Sequence, residues 1–298
     1  MQYHQLGSST LDISTIGFGC MSLGKDHQAN EQLINRSIEL GINFYDTADM
    51  YDKGLNETTV GKIIKSKRSS LIIATKVGNV WKDDGSGWDW NPKKEYILSA
   101  VEKSLQRLQT DYIDLYQLHG GTIEDPIDET IEAFEILKQQ GKIRFYGISS
   151  IRPNVIRAYV SKSQIVSVMM QYSLLDRRPE ESCLSLLHDK NIGVLARGSL
   201  ARGLLVDKPA SAFLQYSAKE VKTAADRVRS LPEDKRTPAQ TALKFALANI
   251  AVTSAIVGLR TIEQLENIVE AVETSPLSEE EIKTLSQSIE VNFYDLHR

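Results

Sequence analysis

Eight short apolar runs punctuate the chain: Ser14–Phe18, Ile42–Tyr45, Leu71–Thr75, Ile113–Leu118, Ile143–Ile148, Ile165–Met170, Ile192–Ala196 and Thr253–Val257. They are rich in Ile, Val, Phe and Tyr and alternate little with polar residues, the pattern of strands buried on both faces. Longer amphipathic stretches lie between them. Leu98, Val101, Leu105 and Leu108 recur every three or four residues, with Glu102, Lys103 and Gln106 between, and Ile127, Ile131, Phe134 and Leu137 repeat the spacing. Leu184 and Leu187, then Ala242, Leu243, Ala246 and Leu247, continue it. This spacing predicts helices with one buried face. Asn91–Pro92, Arg152–Pro153 and Thr237–Pro238 read as helix starts with proline in the first turn.

Strand and helix thus alternate, which predicts an α/β fold of parallel strands joined by right-handed crossovers. Eight units in 298 residues average roughly 37 residues each, the size of a closed (β/α)8 TIM barrel with long loops at its C-terminal face. No Ser/Pro-rich linker interrupts the pattern, so residues 1–298 read as a single domain. Tyr3–Leu6 and Leu11–Ile13 flank Gly7-Ser8-Ser9-Thr10, an N-terminal β-hairpin expected to close the barrel bottom. Two segments exceed ordinary loop length. Gly78–Asn91 holds all three tryptophans, Trp81, Trp88 and Trp90. Leu200–Arg236 is the other, and its Lys219–Lys235 part reads as solvated helix and loop.

Composition narrows the function. Lys+Arg at 35 against Asp+Glu at 39 leaves a net charge of −4, which argues against a protein that coats nucleic acid. No run reaches the 18 or so apolar residues of a membrane span, and Met1–Thr10 lacks the apolar core of a signal peptide. Two cysteines, Cys20 and Cys183, make neither a disulfide framework nor a four-thiolate metal site. The expectation is a reduced, cytoplasmic protein, most simply a monomer, acting on a small molecule without a metal.

In a barrel, the chemistry collects at the C-terminal ends of the strands. Asp46, Lys76 and His119 directly follow the second, third and fourth apolar runs, so three ionisable groups should share one rim. Tyr51 follows in Asp46-Thr47-Ala48-Asp49-Met50-Tyr51, a loop able to return the phenol over the mouth. A free tyrosine is a poor proton donor at pH 7, but a neighbouring ammonium favours the phenolate. A carboxylate beside that ammonium keeps it charged and aimed, and His119 can hydrogen-bond the reacting oxygen.

Several motifs, in order along the chain, carry a resemblance. They are Gly41-Ile42-Asn43-Phe44-Tyr45-Asp46-Thr47-Ala48 with Tyr51, Ala74-Thr75-Lys76-Val77-Gly78, Asp114-Leu115-Tyr116-Gln117-Leu118-His119 and Gly141-Lys142-Ile143-Arg144 leading to Gly147-Ile148-Ser149. Gln171-Tyr172-Ser173-Leu174 and Leu200-Ala201-Arg202-Gly203-Leu204-Leu205 complete the set. From about Tyr3 to about Ala271 the chain resembles the aldo-keto reductase family. The resemblance implies a (β/α)8 barrel that transfers hydride between NADPH (or NADP+) and the carbonyl of a small molecule. It implies Tyr51 as general acid, supported by Lys76, Asp46 and His119. It adds Ser149, Ser150 and Gln171 as carboxamide ligands, Gln264 near the adenosine, and Met21, Arg197, Gly198 and Asn267 on the cofactor surface.

The phosphate sites follow from the fold itself. Barrels bind phosphate at the loops after strands seven and eight, here Ser199-Leu200-Ala201-Arg202-Gly203 and Gly258-Leu259-Arg260-Thr261. The second opens an expected helix, Thr261–Ala271, whose N-terminal N–H groups favour an anion. Arg260 can grip a ribose 2′-phosphate, which favours NADPH.

Three positions depart from the family pattern. Relatives usually carry an aromatic ring at position 197, where this chain has Arg197; a guanidinium can stack on the nicotinamide but repels its oxidised, cationic form. Many relatives have a tryptophan after the histidine, where this chain has Gly120-Gly121, and Trp81, Trp88 or Trp90 either supplies the missing aromatic surface as a lid or packs the loop onto the barrel. The Glu-Asn pair common past the helix glutamine falls one residue early, at Glu266-Asn267. Two rival readings are a cofactor-binding regulatory subunit resembling potassium-channel β-subunits and a Schiff-base barrel using Lys76. The neighbouring Asp46 disfavours the second by keeping the amine protonated.

Overall fold

The computed structural model describes residues 1–231 and 236–298; the remainder of the charged 219–235 stretch, over 232–235, lies outside the described residues. The chain opens with a hairpin in which β1 (Tyr3–Gln5) pairs antiparallel with β2 (Asp12–Ser14). Gly7 turns it at φ +53, and a Cβ there would stand 2.3 Å from the Val166 carbonyl oxygen. Only glycine meets both demands. Leu6, Leu11 and Ile13 are thereby packed under the barrel interior.

Eight parallel strands then close the barrel. They are β3 (Ile16–Gly19), β4 (Phe44–Asp46), β5 (Ile72–Val77), and, after the short pair β6 (Asn79–Trp81) and β7 (Trp88–Trp90), β8 (Ile113–Leu118), β9 (Ile143–Ser149), β10 (Ser167–Gln171), β11 (Gly193–Arg197) and β12 (Val252–Val257). Barrel strands adjacent in sequence are adjacent in the sheet, and β12 returns to pair with β3. Outside lie α1 (His27–Glu39), α2 (Leu55–Ile64), α3 (Lys94–Leu108), α4 (Ile127–Gln139), α5 (Pro153–Lys162), α6 (Cys183–Asp189), α7 (Ala218–Arg229), α8 (Pro238–Leu247), α9 (Ile262–Glu270) and α10 (Glu279–Ser286).

Side chains alternate along each strand, and this period of two positions the site. Phe44, Ala74, Leu115, Met169, Leu195 and Ile256 fill the barrel interior. Two residues further along the same strands, the inward positions are Asp46, Lys76, Gln117, Gln171, Arg197 and Gly258. A polar ring therefore caps an apolar plug. Gly17 keeps the plug closed: a Cβ there would lie 2.5 Å from Ile256 Cδ1 and 2.8 Å from Phe44 Cδ1.

The strands differ from the apolar runs at their ends. Ile42 precedes β4 because its N–H donates back to Ser37 O at the end of α1. Ser14 belongs to the hairpin, with its N–H on Asn43 Oδ1. β5 runs on through Lys76 and Val77 because both pair with β8. α3 begins at Lys94 rather than at Asn91–Pro92, since Asn91 Oδ1 takes the Lys93 N–H and makes a turn first. Gly78–Asn91 is a β6–β7 hairpin with Trp81 opposite Trp88, not an irregular loop. Within Leu200–Arg236, α7 is started by a Ser217–Glu220 capping box. Arg152–Pro153 and Thr237–Pro238 do start α5 and α8.

Candidate active site

The polar ring opens into a cavity of about 610 Å³ whose wall includes Tyr51, Lys76, His119, Ser149, Ser150 and Arg197. A second hollow, about 660 Å³, lies at the opposite end among strand starts such as Thr15, Gly193 and Val252, the end that serves barrel stability.

Lys76 is fully buried. Its Nζ donates to Asp46 Oδ2 at 2.6 Å, to Thr47 O at 2.7 Å and to Tyr51 Oη at 3.3 Å, which uses all three N–H bonds of an ammonium. Burial opposes the charge, but Asp46 and Tyr51 outweigh it and hold the lysine pKa above its usual value. Burial raises the Asp46 pKa against the pull of Lys76 and of the Gln117 amide, which donates to Asp46 Oδ1 at 3.3 Å.

The loop after β4 delivers Tyr51. Thr47 N–H donates to Ala74 O, Asp49 N–H to Lys76 O and Tyr51 N–H to Ala48 O, so the segment rides along β5. Asp52, Lys53 and Gly54 follow at φ 49, 54 and 86 and turn the chain into α2. From the other side, Trp81 Nε1 donates to Met50 O at 2.8 Å. His119 follows β8, its N–H on Val77 O, and its ring stands edge-on to Tyr51 at 5.7 Å between centroids. Burial, then the Lys76 and Arg197 cations, push the His119 pKa down to about 3. The ring is therefore neutral at pH 7. Its Nδ1 is buried without a partner among the described residues, and the residue lines the cavity.

Of the three tryptophans, Trp90 stands in the cavity wall. It covers Gly120, where a Cβ would lie 3.4 Å from its ring, and its Nε1 donates to Asp125 Oδ2 at 2.9 Å. Trp81 is bound to the Tyr51 loop, and Trp88 packs edge-on against Trp81 while half exposed.

Of the expected cofactor residues, Met21, Ser149, Ser150 and Arg197 line the cavity. Arg197 Nη1 donates to Gln171 Oε1 at 3.2 Å, beside Gly198 at φ +74. The Ser199 hydroxyl is buried with no partner among the described residues, and Leu200 and Gly203 lie at the following turn. Arg202 turns its guanidinium towards Phe213. Beyond Gly258, Arg260 is exposed, Thr261 Oγ1 caps α9, and Gln264 Oε1 accepts the Arg260 N–H. Met21 is exposed at the rim. Asn267 is different: its side-chain oxygen already accepts from Thr237 Oγ1 and Gln240 Nε2 at the α8 joint. The Ser199 hydroxyl, without a partner among the described residues, fits an oxygen of an anionic dinucleotide.

Trp90 was one of three tryptophans expected there, whereas Gln117 and Arg152 were not legible as site residues from the motifs. For Gln117 a signal existed: it shares parity with Leu115 and His119, so it had to point inward.

A model of the Aldo/keto reductase family matches residues 15–290. This chain belongs to the aldo-keto reductase family. It is 52% identical to the "Uncharacterized oxidoreductase YqkF" of Bacillus subtilis over 100% of both chains. It superposes on aldo-keto reductase AKR11C1 from Bacillus halodurans with a TM-score of 0.95 for the holo form, at 50% identity, covering 100% of this chain and 99% of that one. The apo form scores 0.87 at 49% identity with the same coverage. As an aldo-keto reductase the chain is an oxidoreductase that works with a nicotinamide dinucleotide.

Proposed function

We propose that this aldo-keto reductase reduces an aldehyde or ketone to an alcohol with NADPH, and that Tyr51 donates the proton. The observation that carries the reading is Lys76, a buried ammonium bonded at once to Asp46 and to the Tyr51 phenol. A nicotinamide dinucleotide held by Ser149, Ser150 and Gln171 would supply the hydride for the carbonyl carbon. His119, neutral, donates from Nε2 to the carbonyl oxygen and aims it. Tyr51 passes its proton to that oxygen as negative charge develops there. The ammonium 3.3 Å away stabilises the phenolate left behind. Asp46 keeps Lys76 charged, and Gln117 steadies Asp46. Trp90 supplies an apolar face to the same cavity.

Ser149, Ser150 and Gln171 suit the carboxamide, and Ser199 with the loop to Gly203 suits the pyrophosphate. Arg260 has no carboxylate within 4.0 Å among the described residues and is free for a 2′-phosphate, which favours NADPH over NADH. Arg197, beside the nicotinamide position, penalises the oxidised ring and biases the enzyme towards reduction. The closer match to a relative's holo form supports a cofactor-ready arrangement.

The test is NADPH absorbance followed across a panel of aldehydes and ketones. Tyr51→Phe should lower kcat by about 10² to 10⁴; a loss under tenfold, or no NADPH oxidation with any member, refutes the reading. Arg260→Ala should shrink the preference for NADPH over NADH. Arg197→Tyr should change the ratio of NADP+ to NADPH dissociation constants, and an unchanged ratio removes that role.

A further inference from the structure

We infer that Arg152 makes the cavity a subsite for an oxyanion, so that the preferred substrates are carbonyl compounds carrying a carboxylate or phosphate away from the reacting carbon. This rests on the reading of the cavity as a carbonyl-reduction site. The charged side chains of the cavity wall are Lys76, Arg152 and Arg197, all cationic, and no Asp or Glu is among the described residues that line it.

Two of these cations are engaged. Lys76 is neutralised by Asp46. Arg197 is held by Gln171 at the cofactor side. Arg152 stands elsewhere in the wall, at the N-terminus of α5. Its Nη1 donates to Gly121 O, which ties the guanidinium to the loop after His119.

The remaining N–H groups of Arg152 have no carboxylate within 4.0 Å among the described residues. Other arginines withdrawn from solvent behave differently: Arg68, Arg107, Arg177, Arg178 and Arg236 each lie within 4.0 Å of a carboxylate. A half-buried charge is costly without a partner, and in this fold the withdrawn arginines lacking one face the cavity. A guanidinium fixed by one N–H presents its free edge as a two-pronged donor matched to carboxylate or phosphate. A substrate oxyanion supplies the missing partner and is drawn in by the acid-free wall.

The experiment compares kcat/KM for 4-oxobutanoate against its methyl ester, and for glyceraldehyde 3-phosphate against glyceraldehyde, in the wild type, Arg152→Met and Arg152→Lys. The wild type should prefer at least one charged member by tenfold or more, and which pair responds identifies the oxyanion. Arg152→Met should bring that ratio to about one, chiefly through KM, and Arg152→Lys should restore part of it. Ratios near one in the wild type, or ratios unchanged in Arg152→Met, overturn the proposal and leave Arg152 a brace for Gly121. Calorimetric binding of 4-hydroxybutanoate and of glycerol 3-phosphate to NADPH-loaded protein separates the two readings. Binding of either that weakens tenfold in Arg152→Met, without turnover of any aldehyde, keeps the anion site and removes the reductase. Turnover with neither preference nor such binding does the reverse.

Discussion

Replacing Lys76 with methionine keeps most of the side-chain volume and removes the one cation between Asp46 and Tyr51. At 3.3 Å and an effective dielectric near 20, two unit charges interact by about 5 kcal/mol. That is the upper limit of what the ammonium lends a phenolate formed as the proton leaves. At about 1.4 kcal/mol per decade, kcat should fall by about 10² to 10⁴. Stability should fall too, because the Asp46 carboxylate, 2.6 Å from Nζ in the wild type, is left buried without its partner, a loss of about 3–5 kcal/mol. The two effects separate in the double variant Lys76→Met with Asp46→Asn. It should recover most of the unfolding free energy in urea and none of the single-turnover rate of NADPH oxidation. A folded Lys76→Met protein with a rate within tenfold of wild type refutes the electrostatic argument, as does a double variant that regains activity.

Three further outcomes follow from buried ionisable groups. Burial, then the neighbouring Glu57 charge, raises the Asp49 pKa from 3.8 to about 8, so the folded state holds a proton that the unfolded chain releases; stability from this group is full below about pH 4 and lost as pH rises through 8. Asp49→Asn should therefore gain on the wild type in urea midpoint between pH 5 and pH 8, and a pH-independent difference refutes this. His119 has the opposite sign: with a folded pKa of about 3 against 6.5, its contribution is full above pH 6.5 and lost as pH falls towards 3, and its imidazole NMR signals should not titrate between pH 5 and pH 8. Arg107→Met strands Glu57, fully buried with 2.6 Å contacts to Arg107 and Thr75, and should lower the unfolding free energy by about 3–5 kcal/mol; a thermal midpoint within 2 °C, roughly the smallest shift expected per kcal/mol, counts against it.

Much of this protein was readable before folding. Period-two and period-3.6 patterns are local properties of the chain, so the apolar runs and helical stretches located eight strands and their alternation with helices. Asp46, Lys76 and His119 stood out because each ionisable residue directly follows an apolar run, at the strand end where barrels collect their chemistry. Strand ends were less legible, since Ile42 and Ser14 are claimed by hydrogen bonds from outside the sheet. The tryptophan segment read as a loop because a three-residue pairing such as β6 with β7 has too few positions to show a period. Barrel closure alone decided that Trp90, not Trp81 or Trp88, stands against Gly120, that Gln117 reaches Asp46, and that Arg152 meets no carboxylate among the described residues. Charge pairing and loss of water depend on distances across the closed sheet between residues far apart in sequence, such as Glu57 and Arg107, and no local pattern encodes those distances.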